Sequence, residues 1–231
     1  MKITSVLYLG LRYPFQNPVA LIRALALPLS LQLLLAFLNS FFQWQLNPLG
    51  YWFFFIANAC LTSLFCVSCL RLVLETPLAP LSSLFRTSGL FLLLTVMLTL
   101  AAIVVNQFIL TFSMAAPLPT AISLKLPQWL SYALLAPWYL VLTGAAVGGT
   151  GWFKTGLNLG RQYWLPLSFL VFVVKASQGI ILNSFQDLST TLAGTVLLGV
   201  LNMMMTALWM FILAFAYRQC RNDKRDTVMP F

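Results

Sequence analysis

The chain has 231 residues, of which 61% are hydrophobic and only 7% charged, with 13 basic side chains, four acidic ones and no histidine. A soluble domain carries roughly 25% charged residues to wet its surface, so this composition excludes a water-soluble globule. The net charge of +9 does not indicate nucleic acid, because ten of the 13 cations fall at four places only: the N-terminus, two connections and the C-terminal tail.

In chain order, the N-terminal residues to Arg12 are semi-polar, and the first apolar run begins after about 18 residues with no small-residue cleavage site behind it. The segment is therefore expected to remain rather than be removed as a leader. Hydropathy over a window of about 19 residues then predicts helical spans near 19–42, 51–74, 89–113, 128–149, 164–184 and 190–217. Each has roughly the length needed to cross the hydrocarbon core at 1.5 Å per residue. The predicted fold is all-α and polytopic, a single transmembrane domain over 1–217 followed by a basic tail, 218–231.

The connections alternate in charge. Those at 43–50, 114–127 and 185–189 hold Lys125 as their only cation, whereas 75–88 with the span end just before it, 150–163 and both termini hold Lys2, Arg12, Arg71, Arg86, Lys154, Arg161, Arg218, Arg221, Lys224 and Arg225. Basic loops stay on the cytoplasmic side during insertion, so both termini are expected inside. Leu46-Asn47-Pro48-Leu49-Gly50 and Pro117, Pro119 and Pro127 read as turns on the outer side. Rings placed for an interface agree: Trp44, Tyr51, Trp52, Trp129 and Tyr132 outside, Tyr8, Tyr13, Trp152, Tyr163, Trp164 and Tyr217 inside.

Arg12, Arg86 and Arg161 are spaced by 74 and 75 residues, each closing a short semi-polar segment ahead of a span. Three tandem units (1–75, 76–150 and 151–217), each an interfacial segment and a helical hairpin, would use the chain fully. Regular hairpins obeying the charge rule would also space cations evenly, so both origins stay open. The segment from Trp152 to Trp164 has the rings and cations of a helix lying at the headgroups. Arg12, Arg86, Lys154 and Arg161 are accordingly the candidate lipid-headgroup residues.

Catalytic chemistry is poorly supplied. Without histidine the commonest general base and metal ligand is missing, and Glu75, Asp187, Asp223 and Asp226 form no carboxylate pair inside a span. No enzyme activity, metal or cofactor is expected. Cys66-Val67-Ser68-Cys69 has redox or metal spacing, but a lone pair of this kind in an apolar helix reads as packing. Cys220 lies near the inner face, as a free thiol or a palmitoylation site. The small residues Gly144-Ala145-Ala146-Val147-Gly148-Gly149 permit close helix approach, and Pro137 predicts a kink in the fourth span.

Lys175 is the informative residue, because it falls about mid-span, where an ammonium costs roughly 2.5–3.5 kcal/mol unless it finds partners. Gln178 lies one turn on, and Asn106 and Gln107 are candidate neighbours from the third span; Gln32, Asn58 and Asn202 are further polar residues at membrane depth. A polar cavity or a snorkelling lysine among interhelical hydrogen bonds would both account for the pattern.

The Arg-bearing segments Leu84-Phe85-Arg86 and Asn158-Leu159-Gly160-Arg161-Gln162-Tyr163-Trp164-Leu165 resemble those of the YciC-type six-helix inner-membrane proteins. The layout is also similar to the membrane domain attached to some glycerophosphodiester phosphodiesterases. The resemblance implies a bacterial inner-membrane protein and carries no functional residues over. Two functions follow from the residues. The first is a non-enzymatic scaffold or accessory subunit that binds lipids and a partner membrane protein or further copies of itself. The second is a transporter or lipid-translocating protein with its cavity at Lys175.

Overall fold

In hydrocarbon a backbone has no water to bond, so a crossing segment must satisfy its amides along its own helix. The computed structural model describes residues 1–42, 47–74, 81–113, 120–148, 151–185 and 192–228, and there the chain forms nine helices and no strand. They are α1 (Ile3–Gln16), α2 (Pro18–Phe42), α3 (Pro48–Val73), α4 (Leu81–Ser113), α5 (Thr120–Leu134), α6 (Ala136–Val147), α7 (Trp152–Gln162), α8 (Trp164–Ser184) and α9 (Leu192–Val228). Trp44, Glu75, Pro77, Pro117, Pro119, Gly149 and Asp187 lie outside the described residues.

Four helices carry stretches long and apolar enough to cross a membrane: Pro48–Val73, Ser83–Thr111, Trp164–Ser184 and Leu197–Asn222. A fifth crossing is complete if Leu126–Leu134 and Ala136–Val147, bent by 57°, are one broken span. The break falls at Leu135, just ahead of Ala136-Pro137, because the proline ring clashes with the preceding turn and removes a donor there. The predicted first span is α2, whose described apolar stretch is the shorter Leu25–Leu35.

Asn47 caps the start of α3. The Asn47 side chain accepts from the Leu49 N–H at 3.0 Å and Pro48 follows at the first helical position, so two amides that a helix start leaves unpaired are accounted for. Hydroxyls inside the spans stay on their own helices: Ser63, Ser68, Thr95 and Thr143 each donate to the carbonyl four residues back.

Burial separates inner from outer helices. Of the membrane-length stretches, 44% of the one in α3 and 39% of the one in α9 are buried, against 17% in both α4 and α8. Together α3, α6 and α9 touch one another and form the centre, while α2, α4 and α8 lie around it. On α4 the exposed Leu93, Met97, Leu100, Val104 and Phe108 make an apolar stripe at helical spacing, as a hydrocarbon solvent permits.

The C-terminal halves of the inner helices meet at one end. Arg71, in the last turn of α3, donates from Nε to the Ala146 carbonyl at the end of α6 (2.9 Å) and from Nη2 to Thr87 Oγ1 on α4 (2.8 Å). Tyr13 of α1 donates to the Leu72 carbonyl (3.2 Å), and its ring lies 5.4 Å from Phe211 and 5.7 Å from Phe215 of α9. Each inner helix is thus paired at this end with another segment: α3 with the start of α4 and α6 with α7, which follow them in the chain, and α9 with α1 from the opposite end of the chain. The pairing is close. A Cβ on Gly10 would stand 2.6 Å from Ile212 Cγ1, and one on Gly160 would stand 2.6 Å from the Pro137 carbonyl oxygen.

Two short segments are therefore separate amphipathic helices, α1 and α7. The third differs, since Leu81 through Arg86 are already the opening turns of α4. No glycine or proline interrupts that stretch, and at 33 residues α4 is about 50 Å long, enough to run past a bilayer core of about 30 Å.

Candidate functional site: a lysine cavity among the inner helices

Lys175 sits near the middle of α8, about 17 Å along the helix from Trp164. Its ammonium donates to Gln178 Oε1 at 3.3 Å, lies 5.4 Å from the centre of the Tyr132 ring and 5.6 Å from that of Trp209. Tyr139 meets Trp209 edge-on, with centroids 5.5 Å apart, and so fixes the plane over which the ammonium stands. No carboxylate among the described residues reaches it.

Magnitudes show why the lysine can remain inside. A desolvated cation over an aromatic face gains about 2 kcal/mol, and Lys175 has two such faces besides one long hydrogen bond. Together these match the roughly 2.5–3.5 kcal/mol that an ammonium costs at this depth. Lys175 is accommodated in the bundle without a counter-ion among the described residues.

Beside it is a cavity of about 190 Å³. At about 30 Å³ per water it has room for about six waters, below the roughly 300–1,000 Å³ of pockets that enclose a whole drug-sized ligand. Thr95, Thr143 and Thr206 place hydroxyls along its wall, and each hydroxyl donates to its own helix, to the carbonyls of Phe91, Tyr139 and Asn202. With those protons engaged, the charged donor on the wall is the Lys175 ammonium, and the neutral donors belong to Gln178, Trp209, Tyr132 and Tyr139, which also line it.

The cavity is closed at one end. Leu70, Phe91, Leu142, Met210 and Leu213 are buried and form an apolar floor toward the end where the arginines gather. One residue beyond Leu70, Arg71 ties α3, α4 and α6 together beneath that floor. Away from it, Leu98, Gln178 and Thr206 are partly exposed and Thr99 is exposed, so the mouth lies toward the opposite end.

The expected partners divide. Gln178 meets Lys175. Asn106 and Gln107 do not line the cavity, because α4 presents Phe91, Thr95, Leu98 and Thr99 to it and Asn106 lies about two turns further on. There Asn106 buries its Oδ1 without a partner, and Gln107 is exposed. Gln32 makes the interhelical hydrogen bond expected of a polar residue at depth, from Nε2 to Thr62 Oγ1 at 3.0 Å. The sequence singles out neither Tyr132 nor Trp209 for the site, since Tyr132 reads there, with Trp129, as a ring at the outer interface. The four-residue repeat Thr95/Thr99 is the one sequence signal that could have drawn α4 into the site.

The headgroup candidates Arg12, Arg86, Lys154 and Arg161 are all exposed, on α1, α4 and α7. Arg12 folds back over Tyr8, donating to its hydroxyl with the guanidinium 5.5 Å from the ring centre. Lys154 and Arg161 lie seven residues apart, two turns along one face of α7, opposite the buried Gly156 and Gly160. None of the four cysteines is in a disulfide, and Cys66 borders the lysine cavity. Among the described residues no group of three or more side chains could hold a metal ion.

Fold and site together define a class: an all-helical protein with several membrane-length apolar helices around a small polar cavity. Comparison with family models, with curated proteins and with solved structures gives no match. The site is accordingly read from its own chemistry.

Proposed function

We propose that the protein is a non-enzymatic transporter or lipid-translocating protein that crosses the membrane six times and holds the polar part of its cargo beside Lys175. The observation that carries this reading is the cavity itself: a cation at mid-helix, bordering a small cavity, with ring faces and an amide around it and no carboxylate in the lining. A lysine kept only for packing would have no need of the space. The scaffold reading rests on the same lack of catalytic groups but assigns the cavity no ligand.

In this reading α2, with 25 residues, is the remaining crossing, and α5 with α6 is a single bent one. Both termini then lie with the arginines in the cytoplasm, in a bacterial inner membrane as the family resemblance implies. The three hairpins act as repeats closed head to tail, since α1 packs on α9 as α7 packs on α6 and as the start of α4 packs on α3. Arg12, Arg86, Lys154 and Arg161 form a basic collar at the inner headgroups.

Reconstitution tests the function. In vesicles containing fluorescent phospholipid, the protein should speed exchange between leaflets, and Lys175→Met should abolish the gain while unfolding at the same denaturant concentration. Exchange no faster than in empty vesicles, with a stoichiometric membrane partner co-purifying in mild detergent, would instead support the scaffold.

A further inference from the structure

We infer that the Lys175 cavity takes one small anionic group, a phosphate or a carboxylate, and takes it from the end remote from the arginines. The inference rests on the cargo-binding reading and specifies the chemistry of the cargo. Three features of the site lead to it.

The first is donor polarity. Thr95, Thr143 and Thr206 have turned their hydroxyl protons to their own helix carbonyls, and the lining holds one charged donor, Lys175, beside the neutral donors of Gln178, Trp209, Tyr132 and Tyr139 and no carboxylate. A cationic cargo would meet an ammonium with no carboxylate among the described residues to relieve it, and at low dielectric that repulsion is severe. An anion would add the missing opposite charge and convert the long 3.3 Å contact to Gln178 into a shared, charge-assisted set of hydrogen bonds.

The second is size. A volume of about 190 Å³ admits a single phosphate or carboxylate with a few waters, but does not enclose a nucleotide or a disaccharide. Any larger cargo must leave its remainder outside the mouth. A phospholipid satisfies this directly, with its acyl chains against the apolar outer helices; a free anion satisfies it by being small.

The third is access. Leu70, Phe91, Met210 and Leu213 close the floor, and the Arg71 bridge between α3, α4 and α6 lies just beneath it. Thr99, Gln178 and Thr206 leave the other end open. The cargo group therefore enters past Thr99 and Thr206 and stops at Lys175, above the floor.

Native mass spectrometry of the full chain released from nanodiscs tests this with defined probes. Nanodiscs of phosphatidylglycerol, of phosphatidylcholine and of a neutral galactosyl diglyceride are compared, and inorganic phosphate binding is measured separately in detergent by isothermal titration. The expected result is retention of phosphatidylglycerol at least ten-fold above the neutral glycolipid, lost in Lys175→Met, kept in Lys175→Arg and weakened in Gln178→Leu. Lysine-dependent binding of inorganic phosphate without retention of phosphatidylglycerol supports the same anion site with a soluble cargo. Equal, lysine-dependent retention of the neutral glycolipid overturns the anion assignment while leaving the cavity as a binding site. Retention of every probe unchanged in Lys175→Met overturns the assignment and the cargo reading together. Each variant is first matched to the native protein in helix content and unfolding midpoint, and Lys175→Arg keeps the comparison valid should Lys175→Met fail to fold.

Discussion

Arg71→Ala removes a side-chain bridge that joins α3, α4 and α6 at one point. The guanidinium makes two hydrogen bonds, at 2.9 Å to the last-turn carbonyl of Ala146 and at 2.8 Å to Thr87. A hydrogen bond to a charged group contributes about 1.5–3 kcal/mol, and a cation at a helix C-terminus about 0.3–1 kcal/mol more. The side chain is only partly buried, so the lower ends apply and the loss should be about 3 kcal/mol. Unfolding in mixed micelles with increasing dodecyl sulfate, followed by loss of far-ultraviolet ellipticity, measures it. Arg71→Lys keeps the charge but lacks the planar fork, so it should recover about half. A loss below about 0.5 kcal/mol in Arg71→Ala would refute the idea that the bridge fastens the floor of the cavity.

Three further outcomes follow from the packing. Gly160→Val should prevent α7 from closing on α6, since its Cβ would meet the Pro137 backbone at 2.6 Å, whereas Gly89→Val, with nothing within 4 Å of its Cβ, should leave the unfolding midpoint within error. Tyr13→Ala removes two ring contacts and the hydrogen bond to Leu72, and should cost about 3 kcal/mol while making α1 exchange its amides faster by mass spectrometry. Lys175→Met should leave stability nearly unchanged, because the residue it replaces is offset rather than stabilising, and should cost only cargo binding.

The four membrane-length apolar helices are legible in the sequence because the bilayer imposes one requirement, about 20 apolar residues, that a hydropathy window reads directly, whereas the predicted first span has only the shorter apolar stretch Leu25–Leu35. The bend at Leu135 is legible for an equally local reason, the Ala136-Pro137 pair. The start of α4 is not, since whether Leu81–Arg86 forms a separate segment or continues the helix depends on its packing against α3. Lys175 and Gln178 are found by spacing within one helix. Tyr132, Trp209 and the threonines come from three other helices, and their meeting depends on interhelical register, on which a composition apolar on every face gives little information. Asn106 shows the same limit, with a polar residue of suitable type about two turns from the place where it would serve.

The central claim is that the Lys175 cavity is open at the end away from the arginines and closed at the other. Site-directed labelling in intact cells measures it directly, using a chain with Cys60, Cys66, Cys69 and Cys220 replaced by serine and one new cysteine at Thr206 or at Ala146. With the arginine end in the cytoplasm, as proposed, a membrane-impermeant maleimide applied outside should label Thr206→Cys at the mouth and leave Ala146→Cys, which is buried beneath the floor, untouched. Protection of Thr206→Cys from outside, with labelling only after the inner face is exposed, would contradict the account.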